Sequence, residues 1–148
     1  MVIPKAANGR SLAKRILAQE AGNLRTAQDV LAAAAAVCRK LYLEIGQFVG
    51  TEGFRALFGR ALHLARAEFS FLEVVQVGEC SNDEYLVGIA DVVSQDSEEI
   101  TEGVAAVLGG FFDLLFTFIG ADLALRMIHR RWPEVPQVPS GDGDERRG

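Results

Sequence analysis

Hydrophobic positions along this chain fall into helically spaced blocks separated by short polar or glycine-containing breaks. Ser11 stands where an N-cap belongs, opening a short helix to about Glu20 that Ala21-Gly22-Asn23 ends. Thr26, with Asp29 three residues later, reads as a capping pair for a helix to about Val49. Inside it Ala27, Leu31, Ala34, Cys38, Leu41, Ile45 and Phe48 alternate in steps of four and three, the spacing of a heptad seam, while Arg39, Lys40, Glu44 and Gln47 fall off it. The alanine run from Ala32 to Ala36 favours helix and admits a close neighbour. Gly50 ends this block and Thr51 is placed to cap the next. There Phe54, Leu57, Phe58, Ala61, Leu64 and Ala65 trace a second amphipathic helix to about Glu68.

From Ser70 to Gln95 the helical period is lost. Val74, Val75 and Val77 are β-branched, Gly78 to Glu84 is polar turn material, and Leu86 to Val93 is apolar with Gly88 inside. Two readings stand here: a short strand pair, or a loop packed on the helices. Asp96 with Glu99 then opens a last helix, whose acidic first turn and basic last turn (Arg126, Arg130, Arg131) both suit the helix dipole. Trp132-Pro133 stops it, because the residue before proline is pushed out of helical geometry. Such a helix is about 35 residues and roughly 50 Å long, so a kink is expected near Gly120. The pattern predicts a mainly all-α, four-helix bundle-like single domain over residues 1–132, with an irregular or β insert at about 70–95. Residues 133–148 read as a disordered, proline-rich and charged tail, in which Pro133, Pro136 and Pro139 line one face of a polyproline II helix.

The stretch Val107–Leu123, VLGGFFDLLFTFIGADL, is the most apolar in the chain and decides between a membrane span and a core helix. Ten strongly apolar residues contribute roughly −3 to −6 kcal/mol towards insertion, and Asp113 near the centre opposes this with about 2.5 to 3.5 kcal/mol. Gly109, Gly110, Thr117 and Gly120 take most of the remainder, so a buried helix of a folded domain is the better reading. On a helical wheel Glu99, Glu102, Ala106, Gly109, Gly110, Asp113, Thr117, Gly120 and Ala124 lie within about 60° of one line. Every one is small or acidic. Glycines in a helix cost about 1 kcal/mol each relative to alanine, so this stripe is expected to meet another helix backbone closely. The alanine-rich helix from Ala27 to Val49 is the expected partner.

Composition alters this picture little, charge more. At 148 residues and 49% hydrophobic content the chain can bury a real core. The net charge of −5 hides a division: residues 1–66 hold ten Lys/Arg against four Asp/Glu, and residues 67–125 hold twelve Asp/Glu and no Lys or Arg. Such a division implies complementary surfaces, within one fold or between protomers. Basic residues form no run and have few aromatics between them, which argues against nucleic acid. With two cysteines, no disulfide framework and no apolar leader, a cytoplasmic protein is expected.

Chemistry is sparse. His63 sits between Arg60 and Arg66 on a polar face, His129 complements a helix C-terminus, and neither has a ligand at metal spacing. Cys38 reads as a small buried hydrophobe; Cys80 lies in a polar loop that leaves its exposure open, with acidic neighbours that blunt its reactivity. No phosphate loop, nucleophile elbow or HExxH occurs, so no catalytic, metal or cofactor site is expected. The expectation is a non-enzymatic helical interaction module, regulatory or scaffolding, that forms a homodimer or binds a protein partner. Its candidate interface is Leu31, Cys38, Leu41, Ile45, Ala106, Gly109, Asp113, Thr117 and Gly120. The alternatives are a membrane-associated component anchored by residues 104–121, and a small-molecule sensor with a core pocket floored by Asp113 and Thr117.

Overall fold

A computed structural model describes residues 5–22, 26–80, 84–92 and 96–133. These form four α-helices: α1 (Lys5–Ala21), α2 (Ala27–Arg66), α3 (Ser97–Ile119) and α4 (Ala121–Arg131). Between α2 and α3 the 3-10 turns Ser70–Val74 and Ile89–Val92 flank the strands β1 (Gln76–Val77) and β2 (Leu86–Val87). The strands pair antiparallel, Gln76 opposite Val87 and Val77 opposite Leu86. Of the two readings of the insert, the strand pair is the one that forms, cut to two residues a side. The fold is all-α with a small β insert; the tail beyond residue 133 lies outside the described residues.

Local signals set several boundaries. Thr26 Oγ1 accepts the Asp29 amide and Asp29 Oδ2 accepts the Thr26 amide, both at 3.1 Å, closing a full capping box. The Asp96 carboxylate accepts the Glu99 amide at 2.7 Å and starts α3. Gly50 has φ 85° and ψ 162°, a backbone state closed to most L side chains, and the two halves of α2 meet there. Tyr42 shows how sharply: its hydroxyl is 2.9 Å from that of Thr51, and its ring packs edge-on to Phe54 at 5.2 Å. Along a straight helix those partners stand about 14 and 18 Å away, so the chain turns back at Gly50. Thr51 thus spends its hydroxyl on Tyr42. The expected kink at Gly120 (φ 92°) is a complete break that separates α3 from α4.

Three expectations are corrected. α1 begins at Lys5, so Ser11 lies inside it as an exposed residue and does not cap it. Packing of Gly9 and Arg10 on α3 carries the helix through a sequence with weak local preference. The heptad seam holds only in its middle, where Ala34, Cys38, Leu41 and Ile45 are buried. The buried face of the first half of α2 is Val30, Ala33, Ala34, Val37, Cys38, Leu41 and Ile45, with Leu31 half-buried and Phe48 exposed. α2 meets α1, α3, α4 and β1, not one parallel mate, so its apolar face follows the ordinary 3.6-residue period. Finally, the small-residue stripe of α3 packs on α1, not on the alanine-rich part of α2: an added Cβ at Gly109 would lie 2.6 Å from the Arg10 backbone.

These contacts fix the arrangement. α1 runs antiparallel to α3, with Lys14 on Glu102 at 2.7 Å towards one end and Gly9 beside Asp113 towards the other. α3 runs antiparallel to the second half of α2. Phe71 covers Gly103, Ala61 faces Gly110, and Phe111 packs on Phe58 and Phe54 at 5.9 and 5.2 Å. α4 lies on the first half of α2, with Arg130 and Arg131 both on Glu44 at 3.4 and 3.1 Å. Trp132 closes the body: its indole donates to Glu20 at 2.8 Å, and Lys40 pairs with the same carboxylate. Two ion pairs, Arg10–Glu68 and Lys14–Glu102, join the basic and acidic segments inside one molecule.

Candidate functional site

The insert is held to α2 by arginines of the helix. Arg66 donates to the carbonyls of Leu72 (3.2 Å) and Val75, and Arg55 donates to the carbonyl of Gly78 at 3.1 Å. Tyr85 follows, buried with its ring 6.3 Å from that of Tyr42. Beyond Tyr85 the insert continues along the first half of α2 without closing on it. What remains is an open groove of about 230 Å³. Leu31, Ala34, Ala35 and Cys38 form its helical wall. Leu86, Val87 and Ile89 form the other wall, with Tyr85 and Glu84. Val87 is 47% exposed although it belongs to the small sheet, and Glu84 is the carboxylate of the lining.

The groove carries no reactive centre. Burial pushes the Cys38 thiol far above its usual range, and Cys80 adds to this. Cys80 is itself buried; burial raises its thiol first, with Glu79 adding and Arg55 opposing. A thiol held protonated is a poor nucleophile and a poor metal ligand. Among the described residues no group of three His, Cys, Asp or Glu side chains is placed to hold a metal ion. His63 is exposed on α2, and His129 is half-buried on α4.

The residues singled out from the sequence do not converge on one surface. Cys38, Leu41 and Ile45 are core residues, and Leu31 lines the groove. Ala106 and Gly109 are buried in α3, Gly109 directly beneath α1. The Asp113 carboxylate lies against Gly9, and an added Cβ at Gly9 would be 2.6 Å from its Oδ1. α1 therefore occupies the space where a pocket floored by Asp113 was expected. Thr117 is exposed and its hydroxyl donates to the Asp113 carbonyl at 3.1 Å, and Gly120 is the exposed corner before α4. α3 is long and apolar enough to cross a membrane, yet more than half of its most apolar window is buried inside the fold.

Sequence reasoning missed Ala35, Leu86, Val87 and Ile89. The signal was weak: a short apolar run broken by Gly88, indistinguishable from insert that packs fully. No family model, curated protein or solved structure matches the chain.

Proposed function

We propose that this protein is a helical interaction module, regulatory or scaffolding in role, whose groove between α2 and the β insert receives an apolar segment of a partner protein. The observation that carries this reading is the groove itself: two apolar walls left apart, with Val87 half-exposed on one and Ala35 exposed on the other. Its volume of about 230 Å³ is small beside the roughly 300–1,000 Å³ of pockets that enclose small molecules, and it is open along one side. An open apolar trough of this kind suits one or two anchoring side chains of a docked helix or strand. The small-molecule reading is weaker for the same reason.

Isolation of the protein from its native cells, compared with Val87→Asp and Ala35→Asp, tests the proposal. Both positions are exposed, so helical circular dichroism should be unchanged. A partner retained by wild type and by Leu64→Asp, and lost from both groove variants, is the expected result. A partner retained equally by all four proteins would contradict it.

A further inference from the structure

The described chain ends against the first half of α2. Trp132 is buried there, with Lys40 Nζ 6.0 Å from its ring centroid and its indole donating to Glu20 at 2.8 Å; exposed Pro133 comes next. Residues 134–148 follow, beginning Glu134-Val135-Pro136-Gln137-Val138-Pro139. After Glu134 this stretch carries no charge before Asp142, and its two valines stand among prolines that restrict the backbone in advance.

The face of α2 beside this point is apolar. Ala32 and Ala35 are exposed, Ala36 is half-buried and Leu43 is 41% exposed, all within about 100° on the helix. Lys40 stands at one margin of this face; Ala35, on the wall of the groove, stands at the other, about 140° away. Passing over a helix of about 10–12 Å diameter between those margins takes about 20 Å of chain. The six residues from Pro133 to Pro139 span about 19 Å at 3.1 Å each. Val135 then falls over Ala36 and Leu43, and Val138 and Pro139 approach Ala35 at the mouth of the groove.

Tethering selects the occupant. A segment attached a few residues away stands at an effective concentration on the order of millimolar, which a free partner must overcome. Charge agrees: Arg39 lies on this face, and residues 134–148 hold Glu134, Asp142, Asp144 and Glu145 against Arg146 and Arg147. We propose that residues 134–139 lie across the outer face of α2 of their own chain and cover the Ala35 edge of the groove, so that a partner docks by displacing them. The contact itself stands on the exit of the chain beside Lys40; its regulatory consequence rests on the docking of a partner in the groove.

The test places a photoreactive phenylalanine analogue at Ala35 in the purified full chain and maps its adducts by mass spectrometry. The expected product has the mass of one chain and joins position 35 to residues 134–141. Val135→Asp with Val138→Asp should lower its yield about tenfold or more, as loss of buried valine area implies. Both substitutions lie outside the four helices, so circular dichroism should be unchanged. The same probe at exposed Ala56 should give no such product. No adduct with 134–141, or one that Ala56 gives equally or the aspartates leave unchanged, overturns the proposal. A product of twice 16.0 kDa would assign the face to a second copy and overturn it too. In native cells the two aspartates should raise capture of a partner at Ala35; unchanged capture overturns the displacement. A segment adduct in the purified chain with no partner captured in cells would keep the contact and remove the docking. A partner captured in cells with no segment adduct would do the reverse.

Discussion

Gly9 of α1 and Gly109 of α3 cross with no room for a side chain on either. A Cβ on Gly9 would stand 2.6 Å from Asp113 Oδ1, and one on Gly109 would stand 2.6 Å from both the Cα and the amide nitrogen of Arg10. The crossing brings two backbones together and seats the ion pairs that flank it, Lys14–Glu102 and Arg10–Glu68. It also explains why α3 tolerates glycines that weaken an isolated helix.

The crossing separates two adjacent glycines by one methyl group. Gly110 faces Ala61 with an added Cβ at 3.4 Å, an ordinary contact. Gly109→Ala should therefore destabilise the fold by about 1–3 kcal/mol through overpacking. Gly110→Ala should be neutral or stabilising by up to about 1 kcal/mol through helix propensity. Urea midpoints of the two variants beside wild type decide it; a raised midpoint for Gly109→Ala would show that α1 does not sit where it is described.

The corners make a second prediction. Gly50 and Gly120 have open space around them but φ values of 85° and 92°. Alanine at either should cost about 1–3 kcal/mol from backbone strain alone. Thermal melts of Gly50→Ala and Gly120→Ala should both fall. The discriminating control is Gly59, a helical glycine without a positive φ whose added Cβ would meet Val77 at 3.9 Å, so alanine there should be neutral or stabilising by up to about 1 kcal/mol.

How much of this was legible in the sequence follows from the range of each signal. The Thr26–Asp29 box and the breaks at Gly50 and Gly120 are local, three residues or one, and were readable. That the small-residue stripe of α3 meets a backbone closely was also readable, since glycine mid-helix needs a packing reason. Which backbone it meets was not, because α1 and the alanine-rich part of α2 are both small enough to approach. The start of α1 at Lys5 depends on that same contact, and propensity places it several residues late. Phe48 fits the four-three spacing of the core, yet the turn at Gly50 takes it past the end of the packed face. The groove was the least legible element, since a gap between two apolar walls leaves no mark on either.

The Arg10–Glu68 pair gives a pH prediction. The hydrogen bond from Arg10 holds the Glu68 carboxyl below its ordinary range, with burial opposing and the guanidinium charge adding. The folded-state value is depressed, so the pair's stabilisation is present above the ordinary carboxylate range, near pH 4.3, and is lost as pH falls through the lower folded value. The pair is largely exposed, so Glu68→Gln should cost less than about 1 kcal/mol at neutral pH. Urea midpoints at neutral pH and well below the carboxylate range should converge; a difference that persists in acid would assign the effect to packing.

Trp132 is buried at the end of the described chain and shares Glu20 with Lys40. Trp132→Ala should destabilise by about 3–5 kcal/mol, and Trp132→Phe by less, since phenylalanine keeps most of the buried area and loses the indole donor. Intrinsic fluorescence gives an independent check on wild type, because this is the chain's single tryptophan and unfolding should shift its emission to the red.

The central claim is that the groove between α2 and the insert is a docking surface for another protein. It is tested most directly by a photoreactive phenylalanine analogue at Ala35, activated in the native cells, with the same group at exposed Ala56 as control. The account predicts a discrete adduct with a different protein from Ala35, lost on Val87→Asp and absent from Ala56. An Ala35 probe that reacts only within its own chain, or equally with whatever the Ala56 probe captures, would contradict it.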